Sequence, residues 1–384
     1  MGYTFKNATV IDADGVRTGD VSVENGIITD TCFENEIDCT SLTLMPALVD
    51  LHTHLRDPGY PQKETMETGM RAALKGGFAT LCAMANTSPV CSTVKLVEKN
   101  HAKAQELSLC RLFQCGALGN DIKDITPTDR EALSKVTPML SNDGNTIFSD
   151  AFMEQVLIDS EKYGFIISTH CQPEAKTVKR DIELLKKHGG NLHVGHISLK
   201  DTLDMIVQAK NDGLNITCEV TPHHLFDYDN SYKVNPPMRT KADVEALIEG
   251  IKNGYIDCLA TDHAPHTVED KAAGMAGISN IEYALSVWIH VFHENDIPLT
   301  TLCRMSSYNP AKRIGLSERL IKPGCVADLI LVDTNRTYTI ETQDMVSRSH
   351  NTPFAGRKVR GKVKLTMIEG EIRYVDGQIG KQSK

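Results

Sequence analysis

No apolar run in this sequence approaches the roughly 18 residues that a membrane-crossing helix requires, so no membrane partner is expected. The opening stretch MGYTFKNATVIDADG lacks the basic segment and apolar core of a secretory signal. Lys6 stands where an N-myristoylation motif wants Ser or Thr. These absences predict a cytoplasmic protein. There is no CxxC pair, which argues against a zinc ribbon and a thioredoxin-type motif. With 11 cysteines in 384 residues, a disulfide scaffold is excluded, and the cysteines read as mostly buried thiols in a reducing compartment. No Lys/Arg cluster stands out, and 41 basic against 50 acidic residues leave a net charge of −9. A nucleic-acid partner is therefore disfavoured. No Gly-rich dinucleotide fingerprint follows any apolar run.

What the sequence does have is a repeat. A composition of 41% hydrophobic and 24% charged residues can build a packed core and argues against disorder. From about residue 44 onward, eight short apolar runs alternate with amphipathic stretches: 44–52, 78–85, 109–117, 136–141, 164–170, 192–198, 214–220 and 255–261. Stretches such as ETMETGMRAALKGG and AKTVKRDIELLKKHGG end in Gly, as a helix C-terminus should. Eight strand–helix units over such a length predict a (β/α)8 TIM-type barrel across 44–319. A doubly wound open sheet is the runner-up. Residues 1–43 and 320–384 instead carry short β runs with NG, DG and EG turns. Flanking the barrel, they are expected to pair into one small β-sandwich-like domain built from both termini.

In such a barrel the functional groups gather at the C-terminal strand ends. His52 and His54 close the first run, and their i, i+2 spacing puts both on one strand face. Asp143 follows the fourth run, His170 ends the fifth, His196 sits in the sixth and Asp262 ends the eighth. One histidine at a strand end is commonly a packed or surface residue. Six metal-capable residues from five strands, all at one end, suit a binuclear zinc site. His193, three residues from His196, is expected on the opposite strand face, outside the barrel lining. His101, His188, His290, His293 and His350 fall in helical or peripheral stretches and read as surface or packing residues. His223 and His224 end the seventh run and read as supporting residues rather than ligands.

At DLHTHLRDPG (50–59) and ATDHAPH (260–266) the chain resembles the dihydroorotase family of the amidohydrolase superfamily. MANTSP (84–89), EVTPHHL (219–225), VNPPMR (234–239) and NTPFAGRKVRGKV (351–363) extend the resemblance nearly end to end. It implies reversible, zinc-dependent conversion of L-dihydroorotate and N-carbamoyl-L-aspartate in pyrimidine synthesis. It further implies two zinc ions per subunit, one on His52, His54 and Asp262 and one on His170 and His196, bridged by Asp143. The nucleophile would be a metal-bound hydroxide, with Asp262 as general base and then acid. Arg56, Asn86 and His266 would contact the substrate carboxylate, and Asn235 would line the pocket. A homodimer and an association with aspartate carbamoyltransferase are left open as partners.

Some positions depart from the family pattern. Its usual DDG reads Asn142-Asp143-Gly144, its HCED reads HCQPE, and a long segment after His170 is missing. Ala85 replaces a common Pro and Gly195 a common Cys, and the stretch from Thr267 to Asn280 is short. Two alternatives follow. One is a dihydropyrimidinase, hydantoinase or allantoinase, which usually bridges its metals with a carboxylated lysine. No Lys occurs in VTPMLSNDG, and those substrates do not present this carboxylate. The other is an inactive scaffold for aspartate carbamoyltransferase, which loss of metal ligands would mark; here all six positions are filled.

Overall fold

The computed structural model describes residues 2–379, so the last five residues of the 320–384 range lie outside it. Eight short parallel strands follow one another in chain order: Leu48–Thr53, Phe78–Ala83, Arg111–Gln114, Met139–Ser141, Ile166–Thr169, Leu192–Val194, Ile216–Val220 and Cys258–Leu259. The first three pair side by side, as do the last five. Parallel bridges Gly116–Leu140 and Thr53–His263 join these two groups and close the barrel. Most of these strands are buried on both faces, which is why they read as continuous apolar runs.

Helices return the chain between strands, and their ends are chemically specified. Thr65 and Thr68 form a capping box at the start of Met66–Lys75. Ser149 caps Asp150–Tyr163, which ends at Gly164 with φ 79°. These caps fix where each helix begins and ends, and so how the strand ends are presented.

The terminal segments form one nine-stranded sheet. Its hydrogen-bonded order is Gln378–Ile379, Glu371–Val375, Lys358–Ile368, Leu329–Thr339, Thr43–Pro46, Gly2–Asp12, Gly15–Glu24 and Ile27–Thr29, with Glu36–Asp38 beside Gly2–Asp12. Alternate residues serve two cores. Val10, Leu44, Leu329 and Leu331 face a cluster within the sheet unit. Ile11, Met45, Ile330 and Val332 belong to the large cluster that holds Phe78 and Trp288. Each such buried side chain contributes about 1.5–3 kcal/mol.

The first apolar run, read as one barrel strand, is in fact divided. Thr43–Pro46 pairs antiparallel with Leu329–Thr339, and only Leu48–Thr53 enters the barrel. Ala47 N–H donates to Asp328 O at 2.9 Å and Leu48 N–H to Gly77 O at 2.9 Å, marking the crossover. Both environments are apolar, so the sequence pattern carries no sign of the change.

Candidate metal centre and substrate cavity

Six side chains converge at the C-terminal mouth of the barrel. His52 lies near the end of the first strand and His54 just beyond it. Asp143, His170, His196 and Asp262 stand one to three residues past the fourth, fifth, sixth and eighth strands. Asp143 touches all four imidazoles. Its Oδ1 is 3.3 Å from His52 Nε2, 3.3 Å from His196 Nε2 and 3.5 Å from His170 Nδ1, and its Oδ2 is 3.3 Å from His54 Nε2. Asp262 Oδ1 is 3.1 Å from His54 Nε2 and 3.7 Å from His52 Nε2. His170 Nδ1 lies 3.0 Å from His196 Nε2.

This spacing is that of donors around an ion. Tetrahedral ligands at about 2.0–2.1 Å from a metal stand about 3.3 Å from one another. His52 Nε2 is buried, faces this cluster and has no hydrogen-bond partner among the described residues. Two triads, His52–His54–Asp143 and Asp143–His170–His196, share Asp143. The residues fit a metal cofactor.

A second layer orients them. His52 Nδ1 lies 2.7 Å from Glu219 Oε1, and His54 Nδ1 2.9 Å from Asn86 Oδ1. Each acceptor fixes the proton on Nδ1 and leaves Nε2 free toward the cluster. Glu219 Oε2 also contacts His193 Nε2 at 3.1 Å, so His193 points into the barrel, contrary to the expected parity. The strand ends at Val194, and His196 takes φ 33°, so the two-residue alternation stops between them. Asp50, buried in the first strand, accepts from the backbone N–H and hydroxyl of Thr261 at 3.0 and 2.6 Å. That contact locks the first strand to the eighth, next to Asp262.

Electrostatics follow from this packing. Burial pushes the Asp143 carboxyl up, but His52, His170 and His196 outweigh it and hold it well below the carboxylate range. For Asp262, burial is likewise overcome by His54, His52 and His196. Glu219, buried as deeply, is held down to about 2 by His52 and His193. Three site residues sit at positive φ: Arg56 at 57°, His196 at 33° and Asp262 at 44°. Such backbone conformations cost about 1–3 kcal/mol each and persist where the surroundings enforce them.

Beside the cluster opens a cavity of about 410 Å³, lined by Arg56, Asn86, Asn235, His266 and the segment Gly274–Gly277. Arg56 Nε donates to Pro265 O at 3.2 Å, and its Nη2 donates to His266 Nε2 at 3.2 Å. Burial, with Arg56 and Lys63 nearby, lowers His266 to about 4, so its ring is neutral at pH 7. Asn86 serves His54 through Oδ1 while its amide nitrogen faces Gly144, where an added Cβ would lie 3.1 Å away. Asn235 sits exposed on the cavity rim.

The profile of the amidohydrolase family matches residues 43–373. The chain belongs to the amidohydrolase family. It is 35% identical over 396 residues to a dihydroorotase of Clostridium botulinum, covering 97% of this chain and 100% of that protein. To the dihydroorotase of Caldanaerobacter subterraneus it is 37% identical over 422 residues, covering 97% of each. Among solved structures, the L-hydantoinase of Arthrobacter aurescens superposes with a TM-score of 0.91 at 23% identity, covering 98% of this chain and 97% of that one. This last likeness establishes the shared amidohydrolase architecture.

Other histidines stand apart from the cluster. His224 bonds Thr221 Oγ1 at 2.8 Å and Pro236 O at 3.0 Å, while its neighbour His223 is buried with neither ring nitrogen hydrogen-bonded among the described residues. His101 accepts from Gln114 N–H, and His188 pairs with Glu154. Sequence reading missed Glu219 and Asp50 as supporting acids. The available signal was a carboxylate inside an otherwise apolar strand: LNITCEV and LMPALVDLH each contain one.

Proposed function

We propose that this chain is a dihydroorotase, a hydrolase that interconverts the cyclic amide L-dihydroorotate and N-carbamoyl-L-aspartate in pyrimidine synthesis. The observation that carries the reading is Arg56, held by Pro265 and His266, lining the cavity beside a donor set centred on Asp143. A planar guanidinium fork suits the ring carboxylate, which neutral ureides do not present.

In this reading the cofactor is two zinc ions per subunit, which His52, His54 and Asp262 on one side and His170 and His196 on the other would hold, with Asp143 common to both sets. When bound, they supply Lewis-acid activation of water and polarisation of the ring carbonyl. The chain's own residues do the rest. Arg56, with His266 and Asn86, binds the carboxylate and orients the ring, and Asn235 closes the rim. Asp262, kept ionised by its histidines, takes the proton of the attacking water. It returns that proton to the amide nitrogen as the C–N bond breaks, and the reverse sequence closes the ring. The barrel unit, from Leu48 to about residue 319, carries this chemistry, and the terminal segments together with Thr43–Pro46 form the supporting unit.

No helix among the described residues is long and apolar enough to cross a membrane, and the 11 cysteines are free thiols, mostly buried. Both support a cytoplasmic location. A homodimer and a complex with aspartate carbamoyltransferase complete the proposal; size-exclusion chromatography of the chain, alone and with that enzyme, tests both.

The deciding assay gives the purified, metal-quantified chain dihydroorotate, dihydrouracil and allantoin side by side. Turnover confined to dihydroorotate supports the reading. Preference for a neutral ureide, or no turnover at full metal occupancy, overturns it. Asp262→Asn should stay folded and lose about 10²–10⁴-fold in kcat. Near-normal turnover in that variant removes Asp262 from proton transfer.

A further inference from the structure

We infer that Lys271 is a positioning residue of the substrate cavity, fastening the Gly274–Gly277 wall to the loop at Lys233. The inference rests on the dihydroorotase reading only for the substrate used to probe it.

Lys271 lies on the short helix Val268–Ala272, which starts directly after His266 with Thr267 and Asp270 in a capping box. Its ammonium donates to Lys233 O at 2.9 Å, Met275 O at 2.9 Å and Gly277 O at 3.0 Å. A lysine has three donors, and here all three end on backbone carbonyls. The same nitrogen sits 4.1 Å from the centre of the Tyr232 ring, a cation–π contact. One side chain thus joins two loops that are over thirty residues apart in sequence. Both of them line the cavity.

The joined wall bears directly on the carboxylate-binding group. Gly277 N–H donates to Lys233 O at 3.1 Å, so that carbonyl serves both the backbone and the lysine. At φ +145°, Gly277 packs so tightly that an added Cβ would lie 2.5 Å from Ala264 O and 2.8 Å from His266 Cδ2. Gly277 O also accepts from Asn351 Nδ2 at 3.1 Å, and Asn351 Oδ1 accepts the His266 backbone N–H at 2.9 Å. From Lys271 the contacts run through Gly277 to His266 and on to Arg56. The wall begins and ends in glycine, both at positive φ, and such a segment has little conformational preference of its own. The ammonium supplies what the backbone lacks.

The groups facing Lys271 are Lys233 and Tyr232. Burial, reinforced by Lys233, lowers Lys271 to about 8, while burial raises the Tyr232 hydroxyl to about 12. Above that lower value the neutral amine offers two N–H donors to three carbonyls.

Lys271→Met keeps the alkyl stem over Tyr232 and removes every donor. In the metal-loaded enzyme at pH 7, KM for dihydroorotate should rise about tenfold with kcat little changed. Amide hydrogen exchange across 274–277 should quicken by a similar factor. Lys271→Arg keeps a charged donor at every pH and should restore slow exchange. The wild-type KM should climb between pH 7 and 9.5, and the Arg variant's should not. Unchanged exchange or unchanged KM in Lys271→Met overturns the inference. Should that variant fail to fold, parallel pH profiles of KM for the wild type and Lys271→Arg overturn it instead. If the wild type ignores dihydroorotate, the proposed function fails, and the exchange comparison still decides the role of Lys271.

Discussion

Glu219 approaches His52 from the side of the ring opposite Asp143, with Oε1 2.7 Å from Nδ1. A carboxylate behind a metal-ligating imidazole fixes its tautomer and raises its basicity, and its loss typically costs 10–100-fold in metal affinity. Glu219→Gln, which keeps an acceptor and removes the charge, should weaken zinc binding by about that factor. Competition against a chelator measures it. Wild-type affinity in the variant would show that the charge is irrelevant to the metal.

Asp143 supplies a shared carboxylate without any lysine in the fourth run or its turn. Its carboxylate forms without carbon dioxide. Protein stripped of metal and reloaded with zinc in carbon dioxide-free buffer should recover equally with and without bicarbonate. Recovery that depends on bicarbonate would point to a carboxylated lysine and reject the Asp bridge.

Arg56 uses two different nitrogens to reach Pro265 O and His266 Nε2. A lysine ammonium has no equivalent fork. Arg56→Lys should therefore lower kcat/KM for dihydroorotate by a factor corresponding to about 2–5 kcal/mol, roughly 30- to several-thousand-fold. An unchanged kcat/KM would reopen the neutral-ureide reading.

Asp181 makes a pH-dependent contribution away from the cluster. Burial raises its carboxyl to about 6 despite Arg180, whose Nε donates to it at 2.7 Å. A raised carboxyl favours the protonated folded state. That stability is complete below the unfolded value near 3.9 and is lost as pH rises through about 6. Between pH 5 and 8 the wild type should lose about 1–2 kcal/mol relative to Asp181→Asn. Urea unfolding at the two pH values checks this, and parallel pH dependence in the two proteins would refute it.

The barrel, and the gathering of His52, His54, Asp143, His170, His196 and Asp262 at its mouth, were legible because each signal was local. His52 and His54 are two residues apart on a strand, and the other donors sit beside apolar runs of their own. The misplacement of His193 shows where that logic stops. Side-chain parity holds only while the strand lasts, and at Gly195 and His196 the backbone turns out of it. The split at Ala47 was hidden for a different reason, since both of its neighbouring strands are buried among apolar groups. Lys271 was beyond reach, because its partners are backbone carbonyls, and carbonyls are invisible in a residue string.

Asn351 belongs to the terminal unit, yet it holds the backbone of His266 and the carbonyl of Gly277. Thr43–Pro46, which leads into His52, waits equally on its partner Leu329–Thr339. A nascent chain that has already emerged from the ribosome with all eight barrel strands therefore still lacks these ties. His52 and His54 are made some three hundred residues before Asn351, and the pocket beside them is completed only when translation has passed residue 351.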